Sequence, residues 1–107
     1  MGYNGLPQGV KDEAERLGVR EVKYKMIVHA DVNAILFAGR PLKGCTMYTY
    51  PFPPCSRCAG MIIQVGIASV IAPDPSKDIL SRWGEDLTLA EQMYDEAGVA
   101  LYTVEFK

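Results

Sequence analysis

The chain has 107 residues, 49% apolar and 22% charged, with a formal net charge of −2. That size predicts one domain spanning 1–107, and the near-average composition excludes general disorder. No apolar run reaches the roughly 18 residues that span a bilayer, and without a basic surplus nucleic acid is not the expected partner, which leaves a small molecule.

In chain order, residues 2–9 hold three glycines and a proline and are expected to form a loop. Val10, Ala14 and Leu17 recur at helical spacing before Gly18, which predicts a short helix over 10–17. The polar stretch 21–24 is expected to be loop. Val32, Ile35 and Leu36 predict a helix over 30–38 that Gly39 ends. Thr46 to Tyr50 reads as a strand, stopped by Pro51, Pro53 and Pro54. Pro54 suits the first turn of a following helix over about 55–65, with Gly66 as its stop. A short buried strand is expected over 68–72, broken by Pro73-Asp74-Pro75. Thr88-Leu89-Ala90-Glu91 matches a capping box, with Leu89, Met93 and Ala97 continuing an apolar face up to Gly98. A closing strand is expected over 101–106. Alternating helices and strands predict an α/β class with crossover helices.

The three cysteines, Cys45, Cys55 and Cys58, are too few and too odd in number for a disulfide framework. They point to a reducing compartment. No basic-then-apolar leader opens the sequence, so a cytoplasmic location is expected. Cys55 and Cys58 are three apart, which places both sulfurs on one face of a helix's first turn. The positive end of the helix dipole favours thiolates there. His29, the single histidine, stands at the start of the preceding helix. If the two helix N-termini meet, His29, Cys55 and Cys58 supply the three protein ligands of a catalytic zinc, with the fourth position open to water. Cys45 is the candidate that would close that position instead. Asp31 lies two residues after His29, where a carboxylate can take a proton from the activated water and pass it on.

The motifs His29-Ala30-Asp31-Val32-Asn33-Ala34 and Pro54-Cys55-Ser56-Arg57-Cys58 resemble those of the zinc-dependent cytidine and deoxycytidylate deaminases, whose signature is H-x-E with P-C-x-x-C. The opening Gly2-Tyr3-Asn4-Gly5-Leu6-Pro7-Gln8-Gly9 and the later Gln64-Val65-Gly66-Ile67 resemble the deoxycytidylate branch, and the likeness covers essentially the whole chain. The resemblance implies a hydrolase that converts dCMP to dUMP. Zinc would be held by His29, Cys55 and Cys58, with Asp31 as the proton shuttle. Asn4 and the backbone of Ala30 would contact the nucleotide. It implies a three-layer α/β fold with a mixed sheet. The family's usual N-terminal helix and first two strands have no counterpart ahead of the Gly2-Tyr3-Asn4-Gly5 loop. A bare strand edge and family habit imply a homo-oligomer.

The residues also admit plainer readings. Asp31 stands where the family has glutamate, one methylene longer, so a second reading is a weakened or inactive deaminase-like zinc domain serving as a binding or regulatory subunit. Cys55 and Cys58 also fit a redox pair. Asn4 fits a plain turn residue, and Asn33 fits either a helix surface or an anchor for the site loop. Trp83 and Phe52 are expected as buried packing ahead of a role roofing a pocket. Arg20, Lys23 and Lys25 fit a substrate 5′-phosphate, and fit a solvated loop at least as well.

Overall fold

Strands separated by helices return to the same end of a sheet, so alternation along the chain dictates parallel pairing. A computed structural model describes residues 2–11, 23 and 25–105. Its named elements run α1 (Ala30–Leu36), β1 (Thr46–Tyr48), α2 (Ser56–Gln64), β2 (Ser69–Pro73), α3 (Lys77–Ala97) and β3 (Ala100–Val104). By internal contacts the chain divides into two compact units, Met1–Ala38 and Gly39–Lys107.

In the second unit the three strands lie in the order β1-β2-β3, and both pairs are parallel. The α/β class holds, but the described sheet is parallel and not mixed, because a crossover helix separates each strand from the next. Met47, Val70 and Leu101 stand in register across the sheet. Val70 and Ala72 of the central strand are buried. Right-handed crossovers between successively adjacent strands place α2 and α3 on one face, and the two helices pack together. Gly60 of α2 leaves room there: a Cβ on it would lie 3.7 Å from Met93 Cε of α3.

Helix α2 begins one residue after its expected start, because Cys55 is extended and serves as the N-cap. Pro54 therefore precedes the helix and is not part of its first turn. At the far end Gly66 takes φ +83°, and a Cβ on it would press within 3.2 Å of Lys43. The left-handed turn and the close approach both require glycine.

The largest departure from expectation is α3. It spans Lys77–Ala97, and Thr88 sits in its middle instead of capping its start. Ser76 is the true N-cap: its hydroxyl accepts from the Ile79 N–H at 3.2 Å, and Asp78 lies in the first turn. Gly84 is carried inside the helix at a cost of about 1 kcal/mol relative to alanine. The buried face is Leu87, Ala90 and Tyr94, whereas Leu89 is 50% exposed. A longer helix with a different phase replaces the expected Leu89–Met93–Ala97 face. Pro73 closes β2 as its last residue instead of breaking it, and the Asp74 N–H continues the ladder to the Val104 carbonyl at 2.9 Å.

In the first unit an antiparallel bridge joins Gly5 and Val28, just before α1. Lys23 and Lys25 are helical, not loop, with the Ile27 N–H bonding back to the Lys23 carbonyl at 2.9 Å, and the rest of the stretch 21–24 lies outside the described residues. The expected helix over 10–17, Arg20 and Phe106 fall largely or wholly outside the described residues. Among the described residues no helix is long and apolar enough to cross a membrane.

The corrected phase of α3 has a direct consequence. Leu87→Ala is expected to lower unfolding free energy by about 2–5 kcal/mol, and Leu89→Ala to change it by about 0.5 kcal/mol or less. Urea denaturation of the two variants checks this.

Candidate metal centre and substrate loop

The N-cap and N3 side chains share one side of a helix's first turn, which is why reciprocal caps form between them. In α2 these positions are Cys55 and Cys58. Cys55 makes no side-chain cap hydrogen bond, while its carbonyl closes the turn by accepting from Ala59 N–H at 2.9 Å. The two sulfurs lie 3.5 Å apart. Two zinc–sulfur bonds of about 2.3 Å at a tetrahedral angle would span about 3.8 Å, so the turn already holds the pair near chelating distance. No disulfide joins any of the three cysteines. Cys58 is buried and Cys55 half-buried.

His29 is the N-cap of α1, extended and exposed. One ligand atom each from His29, Cys55 and Cys58 lie within 4.8 Å of one another, a group that can hold a metal ion. One imidazole nitrogen with two sulfurs is a donor set suited to zinc. Cys45 stands outside this group. Asp31 occupies the first turn of α1 and is half-buried.

Asn4 and Ala30 are brought directly together. Asn4 Oδ1 accepts from the Ala30 N–H at 2.6 Å, which satisfies one of the donors that a helix start leaves open. Asn33 is an anchor for the loop and not a bare surface residue. Its Nδ2 donates to the Tyr3 carbonyl at 2.7 Å and to the Val28 carbonyl at 3.4 Å. Gly2 completes the strap: a Cβ there would overlap the Ala30 carbonyl and the Ala34 nitrogen. Trp83 and Phe52 are 41% and 53% exposed, so neither is the buried packing residue expected of it. Lys23 and Lys25 are exposed.

One contact to the cysteine turn comes from a residue that the sequence did not single out. Asp86, on α3, accepts from the Ser56 N–H at 2.9 Å through Oδ2 and from the Ser56 hydroxyl at 2.6 Å through Oδ1. The available signal was Ser76 with Asp78, a helix start that would have carried a helix through position 86.

Residues 1–73 match the model of the cytidine and deoxycytidylate deaminase zinc-binding region. The chain is 48% identical over 99 residues to an uncharacterized deaminase in the luxG 3′ region of Aliivibrio fischeri, covering 92% of this chain and 66% of that protein. It is 37% identical over 106 residues to deoxycytidylate deaminase of Homo sapiens, covering 92% of this chain and 56% of that enzyme. The chain thus spans less than two thirds of the length of these relatives. In fold it is similar to the dCMP deaminase of the cyanophage S-TIM5, solved in complex with dCMP and dUMP. The TM-score is 0.64 at 22% identity, over 96% of this chain and 70% of that one.

The donor geometry generates a stoichiometry test. The unaltered chain is expected to carry about one zinc per chain. His29→Ala, Cys55→Ser and Cys58→Ser are each expected to lose most of it, and Cys45→Ser to keep it. Atomic emission on dialysed protein reads the difference.

Proposed function

The chain belongs to the cytidine and deoxycytidylate deaminase zinc-binding family, and we propose on that footing that it catalyses hydrolytic deamination of a cytosine nucleotide, dCMP foremost. The reaction is dCMP plus water to dUMP plus ammonia. The observation that carries this reading is the group formed by His29, Cys55 and Cys58, whose ligand atoms lie within 4.8 Å of one another. The named relatives and the dCMP-bound phage enzyme support the substrate class.

His29, Cys55 and Cys58 would hold zinc, which supplies the Lewis acidity that brings the pKa of water toward neutrality. Asp31 is the proton carrier. Its carboxylate carries one proton of the attacking water to ring N3 as the C4–O bond forms, then carries the second, from the new C4 hydroxyl, to the departing amino nitrogen. Water adds to C4, the C4–N bond breaks, and ammonia leaves. Asn4 and Ala30 hold the nucleotide. The Asn4 side chain, whose Oδ1 accepts from the Ala30 N–H at 2.6 Å, would turn to the sugar and leave the fixed Ala30 N–H to the base carbonyl. Exchanging one hydrogen bond for two is a low-cost way to seat a polar ligand.

A second reading rests on Asp31 itself. An aspartate reaches about one carbon–carbon bond less far than a glutamate, and a shortfall of about 1 Å at a catalytic group can cost roughly 100-fold. In that reading the chain is a deaminase-like zinc domain that binds nucleotide without efficient turnover.

Ammonia release from dCMP, CMP, cytidine and cytosine separates the two. The zinc-loaded chain is expected to turn over dCMP. Asp31→Ala is expected to lower the rate by about 10²–10⁴ with zinc retained. Turnover only after Asp31→Glu would favour the second reading, and no turnover by either chain would contradict the deaminase proposal.

A further inference from the structure

We propose that Asp86 is a positioning residue that holds the cysteine turn of α2 in its metal-binding geometry. This rests on the zinc-site reading above. One feature of the turn calls for an outside support, and two more show where it comes from. Its N-cap is a cysteine whose side chain makes no cap hydrogen bond, so the capping normally supplied by a serine or aspartate at that position is missing. The residue between the N-cap and the rest of the turn, Ser56, is fastened through its backbone N–H and its hydroxyl, 2.9 and 2.6 Å from the two oxygens of one carboxylate. That carboxylate comes from thirty residues away, on α3, which packs against α2.

The arrangement divides the work at a helix N-terminus. A capping residue usually supplies both the oxygen and the turn. Here Cys55 supplies the turn without a side-chain cap bond, while Asp86 supplies an oxygen to the Ser56 N–H, one of the backbone donors that a helix start leaves open. A carboxylate is also the favourable charge at the positive end of a helix. Ser56 directly follows Cys55 and stands two before Cys58, so fixing its backbone and its hydroxyl fixes the spacing of both sulfurs. Outer residues that orient metal ligands typically contribute 10–100-fold to metal affinity.

Chelator competition on the full chain tests this, with cobalt as a spectroscopic probe of the same donors. Asp86→Ala, which removes both oxygens, is expected to weaken zinc binding about 10–100-fold and to alter the thiolate-to-cobalt charge-transfer absorption. Asp86→Asn is expected to restore both to near the unaltered chain. Its amide oxygen still accepts from the Ser56 N–H, and its amide nitrogen can donate to the Ser56 hydroxyl. Val70→Ala, a core truncation in β2 away from this contact, is expected to lower stability without moving zinc affinity. Ser56→Ala, which keeps the N–H bond and removes the hydroxyl one, is expected to fall between Asp86→Ala and the unaltered chain. It serves as the reading if Asp86→Ala does not fold. Unchanged affinity in Asp86→Ala, or in Ser56→Ala where that is the reading, would overturn the proposal. So would equal weakening in Val70→Ala. An unaltered chain that binds no zinc would overturn the site reading itself, and the role of Asp86 with it.

Discussion

The first turn of α2 is the constraint on which the chemistry depends. It must present two sulfurs on one side, 3.5 Å apart, and still satisfy the backbone donors that open a helix. An ordinary cap would meet the second demand by spending the N-cap side chain. Cysteine at that position cannot both cap and bind metal. The second unit resolves the conflict by bringing a carboxylate from α3, so the length and phase of α3 become part of the site. This is why Ser76 matters well beyond its own turn. It starts a helix early enough to carry Asp86 to Ser56, and the Leu87, Ala90 and Tyr94 face sets the rotation.

The first unit answers a different demand. His29 stands at a helix start and makes no side-chain cap hydrogen bond, so a donor of that start needs a satisfying group from elsewhere. Asn4 provides it through Ala30 N–H, and Asn33 fixes the loop that carries Asn4. Gly2 allows the loop to lie against the backbone of α1, where any side chain would collide. Both helix starts thus share one arrangement: the N-cap side chain makes no cap hydrogen bond, and a more distant polar side chain takes the first backbone donor of the helix. In the first unit that side chain is also the proposed nucleotide contact.

Much of this was legible in the residues. Pro-Cys-x-x-Cys and the lone histidine single out the three residues whose ligand atoms the fold groups together, and the i, i+3 spacing of Cys55 and Cys58 places them on one helical face. The strands over 46–50 and 68–72 and the α/β class follow from pattern alone, since strand and helix periods differ. The start of α3 was obscured for a physical reason. Gly84 interrupts an otherwise apolar period, and Thr88-x-x-Glu91 imitates a helix start inside a helix. Tertiary burial of Leu87 and Tyr94 overrides that local signal. The clasp on Ser56 was hidden because it is a contact across thirty residues, and no local rule pairs a serine with one particular aspartate. The roles of Asn4 and Asn33 were ambiguous for the same reason: an Asn-Gly turn is locally self-sufficient, and only the bonds to Ala30 and Tyr3 show the wider use.

The central claim is that one nitrogen and two sulfurs of this chain form a zinc site with room for a further ligand. Zinc K-edge X-ray absorption on the loaded chain tests it most directly. The account expects two sulfur scatterers at about 2.3 Å and two nitrogen or oxygen scatterers at about 2.0–2.1 Å. A shell of three sulfurs, which would bring in Cys45 and close the site, or a shell with no sulfur at all, would contradict it.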